Sequence, residues 1–203
     1  MKKYDQQYYF IDRADNDSLP DVGPDLNTED RKFRYERQPV GSPPLVFENS
    51  GYEFDKKRNI PLLKHLPDIL FDGSNLVVRS HIREKLLNYD IQNLHMHPTV
   101  YIHDDGKWHE DYWYMTFTEQ FDCWDRQLST YEPEPLEMGG YKLHSVYTYS
   151  LNEDLLDKTP LEQRLLFKMG GTQDGYIVCH QKLLSLFLGD GKNGAKLTPI
   201  HEY

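Results

Sequence analysis

The dipeptide Asp105-Gly106, together with the alternating sequences on either side of it, constrains this chain more than any other feature. Asp-Gly between runs of alternating apolar and polar residues is a strong signal for a β-hairpin with a two-residue turn. The flanking strands are predicted at residues 99–103 and 108–119. In this register His103 and His109 point to opposite faces of the sheet. An isolated hairpin is at best marginally stable in water, so the sequence predicts a larger sheet around it.

Short apolar runs bounded by turn-forming residues supply the other elements. Strands are predicted at residues 7–11, 32–37, 76–78, 141–151, 176–178 and 196–200. Helices are predicted at residues 61–71 (short and broken at Pro67), 81–89 (capped by Ser80) and 180–188, and residues 164–168 fit either the end of a helix or a strand. The 203 residues are enough for one domain. We expect a single α+β domain with a mixed, mainly antiparallel sheet of roughly six to eight strands and a few short helices on one side.

The first sixty residues are less regular than the rest. Residues 14–31 mix polar residues with Pro and Gly, the composition of a loop. The prolines of residues 38–47 cannot donate to a ladder, so they belong at an edge or outside the sheet. We therefore expect residues 1–60 to form an irregular segment with short strands that is part of the same domain as residues 61–203.

Residues 95–113 contain four histidines among several carboxylates, which are the residue types of a metal site. The histidines are His95, His97, His103 and His109. His97 and His103 share a strand face but lie about 20 Å apart at roughly 3.3 Å per residue, whereas zinc ligands lie about 2.0–2.2 Å from the ion. The HExxH sequence of zinc peptidases is absent. No metal ion or other cofactor is expected, and a metal-dependent hydrolase that uses this cluster is the alternative hypothesis.

The sequence contains no motif of another enzyme class in the context that the motif requires. It contains no GxSxG elbow. Gly189, Gly191 and Gly194 have the spacing of a GxGxxG loop, but they follow a predicted helix, which is the wrong context for a phosphate-binding loop. The two cysteines, Cys123 and Cys179, lack metal-type spacing, which is typical of a reduced, cytoplasmic protein. No apolar run approaches the roughly 20 residues that a membrane span requires. We therefore expect a cytoplasmic protein without enzymatic activity.

The formal net charge is −10, and most of it lies in one segment. Residues 104–137 contain ten Asp or Glu against one Lys and one Arg, a difference of −8. Such a segment repels the phosphates of nucleic acid and attracts basic proteins. A solvated acidic face that aids solubility is the competing interpretation. Direct binding of nucleic acid is not expected.

The second half of the chain also resembles a known family. The resemblance rests on three segments: FDCWDRQLSTY (121–131), YTYSLNEDLL followed by LEQRLLF (147–167), and YIVCHQKLLSLF followed by GAKLTPI (176–200). They are similar to the bacterial immunity proteins of family eleven in polymorphic-toxin systems, over roughly residues 75–200. The resemblance implies an α+β immunity-type domain over residues 61–203. It also implies a cytosolic protein that holds a cognate toxin inactive by binding it.

A toxin that attacks nucleic acid would carry a basic cleft, which an acidic surface rich in aromatic residues can bind. Large side chains on alternating strands more often face a core, and Trp113, Met115 and Phe117 are assigned to that face. The predicted contact residues are Asp104, Asp105, Trp108, Glu110, Glu132 and Glu134. The oligomeric state stays open, and a scaffold that self-associates through exposed sheet edges is a further alternative.

Overall fold

β-Strands dominate the computed structural model, which describes residues 2–188 and 193–203. In chain order they are β1 (Tyr8–Arg13), β2 (Val22–Pro24), β3 (Leu45–Asn49), β4 (Ile69–Asp72), β5 (Asn75–Arg79), β6 (Leu94–Ile102), β7 (Trp108–Phe117), β8 (Thr130–Tyr131), β9 (Leu136–Met138), β10 (Tyr141–Leu143), β11 (Val146–Thr148), β12 (Leu166–Lys168), β13 (Ile177–His180) and β14 (Ala195–Pro199). The helices are short. They are α1 (Leu26–Glu29), α2 (Tyr52–Lys57), α3 (Ser80–Leu86), α4 (Glu153–Lys158) and α5 (Leu184–Phe187), with 3-10 turns at Leu161–Arg164, Gln181–Leu183 and Ile200–Glu202.

The strands form two main sheets. The larger has the order β2-β3-β6-β7-β5-β4, in which β3 and β6 run parallel and the other neighbours are antiparallel. The smaller has the order β12-β13-β1-β14 and is antiparallel throughout. Two-stranded ladders join β9 to β10 and β8 to β11. No helix in the described ranges is both long and apolar enough to cross a membrane.

The short apolar strands are buried on both faces, which explains why their sequences are apolar without interruption. In β5, Val78 faces the core between the two sheets, while Val77 faces a second cluster on the outer side of the larger sheet. In β13, Ile177 faces the same central core, while Val178 faces a third cluster beyond the smaller sheet. Three apolar layers therefore alternate with the two sheets.

The α+β class predicted from the sequence is confirmed, with short helices and mainly antiparallel pairing. The strands predicted at 7–11, 76–78, 176–178 and 196–200 correspond to β1, β5, β13 and β14. These four strands do not join one sheet. β1 pairs with β13 on one side and β14 on the other in the smaller sheet, whereas β5 belongs to the larger sheet. Hydrophobic periodicity detects strands but not such long-range partners.

The predicted helix at 61–71 is wrong. Residues 61–68 are irregular, and Ile69 begins β4. The tight turn after Asp72 allows β4 and β5 to pair as a hairpin with Ile69 opposite Val78. The apolar run that suggested a helix instead supplies a strand for this hairpin, and Pro67 disfavours a helix through this segment.

The predicted strand at 32–37 is also wrong, because side chains fix this segment instead of a ladder. Phe33 is buried in the outer cluster, and its carbonyl accepts a hydrogen bond of 2.9 Å from Thr116 Oγ1. Residues 14–31, predicted to be loop, include β2 and α1. Asp25 caps α1 by accepting from the Thr28 amide at 2.8 Å.

Three further predictions are corrected in detail. Ser80 does not cap α3; its hydroxyl donates to Asp111 O and accepts from Trp113 Nε1, so it ties the helix to β7. Residues 141–151 are divided between β10 and β11, which pair with different strands. Residues 180–188 form a 3-10 turn followed by α5, and residues 164–168 end in β12, the strand alternative.

Candidate functional site

The turn between β6 and β7 has three residues, not the two predicted. The His103 amide donates to Lys107 O and the Gly106 amide donates to His103 O, each at 2.8 Å. Gly106 has a φ of +81°, the left-handed conformation that closes a three-residue hairpin loop. As a result Ile102 lies opposite Trp108 instead of His109.

An irregularity further along the hairpin restores the predicted register. Tyr101 pairs with His109, but Thr99 pairs with Tyr112, so β7 carries one extra residue between these positions. From Thr99 onwards the pairing is the one that a two-residue turn would give. Glu110 and Asp111, which lie in the extra step, are both exposed. Such bulges bend a strand and redirect its side chains.

Because the three-residue turn places Tyr101 opposite His109, His103 and His109 lie on the same face, with ring centroids 6.2 Å apart. The prediction that they lie on opposite faces is wrong for this reason. Burial, followed by the charges of Arg79 and His103, lowers the pKa of His109. Burial, followed by Arg37, lowers the pKa of His95.

The four histidines do not come together. His97 Nε2 donates to Pro43 O and His103 Nε2 donates to Leu63 O, each at 3.0 Å, so both rings are held by backbone carbonyls. Across residues 2–188 and 193–203, no group of three or more His, Cys, Asp or Glu is placed to hold a metal ion. The alternative of a metal-dependent hydrolase therefore has no ligand set in the described part of the chain.

Both cysteines are free and fully buried. Burial, followed by the neighbouring Asp122 carboxylate, raises the pKa of the Cys123 thiol. Burial raises the pKa of the Cys179 thiol to about 12. Because a reactive cysteine needs thiolate character and access, neither thiol is suited to act as a nucleophile at neutral pH.

The predicted contact residues at the hairpin end lie on the surface. Trp108 is 63% exposed, Asp105 and Glu110 are exposed, and Asp104 is half-buried. Lys107 Nζ donates to the Asp105 carboxylate at 2.7 Å, and this hydrogen bond lowers the pKa of Asp105. The prediction for the core face is confirmed, since Met115 and Phe117 are buried in the central core and Trp113 packs against it.

The other two predicted contact residues, Glu132 and Glu134, lie elsewhere. They follow β8, whose Tyr131 packs against Trp124 in the cluster beyond the smaller sheet. The hairpin end belongs to the larger sheet, and β7 alone covers about 30 Å at roughly 3.3 Å per residue. The predicted contact residues therefore belong to two different parts of the fold, the end of the β6–β7 hairpin and the segment after β8.

The structure shows a pocket of about 130 Å³ next to the turn. Asn49 Nδ2 donates to Asp55 Oδ2 at 3.1 Å and to Asp104 Oδ2 at 3.0 Å, which brings two carboxylates from distant parts of the chain together. Asn49 Oδ1 accepts from the Gly51 amide at 3.0 Å, so the amide is oriented by the backbone. The parallel pairing of Glu48 with Ile102 brings these residues together. No local sequence signal predicts that pairing.

A model of one protein family matches residues 7–198; its description is Immunity protein family (Imm11). The match begins near the start of β1, so it extends beyond the range 75–200 over which the sequence resemblance was noted. No curated protein matches the chain.

Proposed function

The chain belongs to the immunity protein family Imm11, and from this premise we propose that it binds a cognate bacterial toxin in the cytoplasm and holds that toxin inactive. Inhibition by protein–protein contact needs a complementary surface and no chemical step, so we propose that the protein is not an enzyme. The match over residues 7–198 is the observation that carries this proposal.

The end of the β6–β7 hairpin supports a positively charged partner. An exposed tryptophan is a typical anchor of protein interfaces, and Trp108 projects beside a turn that carries Asp104 and Asp105. The net charge of −10 adds a field that attracts basic proteins and accelerates their association. We propose that a basic surface of the toxin docks here, and that nucleic acid does not.

Co-expression with the product of the adjacent gene tests the proposed function. We expect the two proteins to co-purify as a stable complex and the cells to survive expression of that product only when this chain is present. Size-exclusion chromatography with light scattering measures the complex, and plating efficiency measures protection. Absence of both a complex and protection would contradict the proposal.

Charge reversal tests the location of the interface. We expect Asp105→Lys/Glu110→Lys to slow association with the toxin about tenfold at low ionic strength, because steering depends on the local field, and to have less effect at high salt. Stopped-flow or surface plasmon resonance measures the association rate constant. Asp104 is left unchanged because it binds Asn49.

The control variant Glu36→Lys/Glu162→Lys makes the same change in net charge at two exposed positions outside the hairpin end. It should alter the association rate constant much less. A second comparison, Glu132→Lys/Glu134→Lys, tests the other acidic group. If only this last variant slows association, the interface lies beside the smaller sheet and not at the hairpin end.

A further inference from the structure

The hairpin formed by β9 and β10 has one apolar face. Its two-residue turn, residues 139–140, consists of two glycines with φ of +58° and +85°, the left-handed conformations that such a turn requires. The turn fixes the register, in which Leu136 lies opposite Leu143. Met138 lies opposite Tyr141. Because opposite residues, and residues two apart on one strand, share a face of the ladder, all four apolar side chains lie on the same face.

This apolar face is not covered, whereas the other face of the hairpin is polar. Glu137 and Lys142 are the central residues of the two strands, and they pair across the polar face at 3.8 Å. On the apolar face, Leu136, Met138 and Tyr141 are 50%, 61% and 70% exposed, so no described part of the chain buries them. Strands with one apolar face normally pack that face against another element. An exposed apolar patch of this kind typically marks an interaction site.

The root of the hairpin is fixed to the body of the molecule. The Glu132 amide donates to Ser145 O at 2.8 Å, and the His144 amide donates to Gly171 O at 3.0 Å. The His144 ring also packs edge-on against the buried Trp124, with centroids 5.9 Å apart. Because the root is held in place, the apolar face is pre-organised, and a partner that binds it has less ordering to offset.

The charges next to the apolar face determine which occupant fits. Glu132 and Glu134 directly precede β9, are exposed, and form no ion pair with any described residue. A second copy of the chain would place its own carboxylates, and its own net charge of −10, against the same charges, which is unfavourable. A protein surface with an apolar centre and Lys or Arg at its rim is complementary both to the face and to the carboxylates beside it.

We propose that the apolar face of the β9–β10 hairpin holds the toxin by binding an apolar patch that is rimmed by basic side chains on the toxin surface. This inference rests on the proposed function and deepens it, because it adds an apolar contact to the charged one at the end of the β6–β7 hairpin. The two contacts have different kinetic effects. Charge acts mainly on the association rate constant, whereas the loss of a buried apolar contact acts mainly on the dissociation rate constant.

The variant Met138→Thr/Tyr141→Thr removes the exposed centre of the apolar face and keeps a residue type that favours strands. In the complex with the product of the adjacent gene, we expect Kd to rise at least tenfold, mainly through faster dissociation, as measured by surface plasmon resonance. The matched control Glu137→Thr/Lys142→Thr introduces the same residues at neighbouring positions of the same two strands, on the polar face, and leaves the net charge unchanged. The control should bind as the wild type does.

A second variant, Leu136→Lys, guards against loss of the hairpin in the double variant. It changes one exposed side chain and places a cation on the face that meets a basic rim, so it should also raise Kd at least tenfold. Circular dichroism and the urea midpoint show whether each variant folds. If neither variant raises Kd more than the control does, the apolar face does not hold the toxin, although the complex itself would still support the proposed function.

Light scattering over a range of protein concentrations tests the other occupant of the face. A wild-type dimer that Met138→Thr/Tyr141→Thr does not form would assign the face to a second copy of the chain and overturn the inference. We expect the wild type and the variant to scatter alike. If the wild type forms no complex with the product of the adjacent gene, the proposed function fails, and the inference that rests on it fails too.

Discussion

Replacing Asp72 with asparagine is expected to destabilise the fold by about 1–3 kcal/mol, the scale for disturbing hydrogen bonds to a buried charged group whose cationic partner, Arg34, is 41% exposed. The Asp72 side chain is 7% exposed and accepts two hydrogen bonds from Arg34, at 3.0 and 2.9 Å, and one from the Tyr114 hydroxyl at 2.8 Å. This carboxylate is the only acceptor recorded for the Tyr114 hydroxyl in the described part of the chain. Urea denaturation at pH 7 measures the loss.

Asp111→Asn is the matched control. Asp111 is paired with Arg79 at 2.5 Å, but its side chain is 52% exposed, and exposed pairs contribute about 0–1 kcal/mol. We expect a loss of less than about 1 kcal/mol for the control. Equal losses for the two variants would contradict the argument that burial makes Asp72 important.

The hairpin shows how far the sequence can predict this fold. The turn signal at Asp105-Gly106 correctly places two strands, and the predicted register holds from Thr99 and Tyr112 onwards. It fails between the turn and the bulge, because loop length and an extra residue change the pairing without changing the alternation of residue types. The wrong register near the turn is the reason why the sequence predicted His103 and His109 on opposite faces, although they lie on the same face in the structure.

The candidate site was only partly predictable from the sequence. Exposure of Trp108 and burial of Met115 followed from the alternation of residue types, which the structure confirms. The pocket did not follow, since Asn49, Asp55 and Asp104 meet only through the parallel pairing of β3 with β6. The sequence also did not show that Glu132 and Glu134 lie away from the hairpin end, because net charge along a segment carries no information about where its strands pair.

Some polar residues that look like surface residues in the sequence are buried where the two sheets meet. Lys168, in β12 of the smaller sheet, is 1% exposed and donates at 2.6 Å to Asn75 Oδ1 in β5 of the larger sheet. Its ammonium lies over the Tyr35 ring, 5.1 Å from the centroid. Burial lowers the pKa of Lys168 to about 8, although the Asp72 carboxylate opposes this change.

The stability of the fold should therefore rise with pH through a window that Lys168 sets. The folded-state pKa of about 8 lies below the unfolded value of 10.5, so between these values the unfolded chain binds more protons than the folded chain. Raising the pH through the window therefore stabilises the folded state. Between pH 7.5 and 9.5 we expect the free energy of unfolding of the wild type, relative to Lys168→Met, to increase by about 2 kcal/mol.

Urea denaturation of both proteins at several pH values measures this difference, and subtracting the variant removes the contributions of all groups that titrate in the same way in both. Lys142→Met is the control, because it removes a lysine whose side chain is 71% exposed. If the difference in free energy of unfolding between the wild type and Lys168→Met does not change with pH, the buried amine titrates as it does in water, and the prediction is wrong. Since Lys168 and Asp72 influence each other, the double variant with Asp72→Asn should lose less stability than the sum of the single variants, because removing the lysine also removes a buried cation that the carboxylate stabilises.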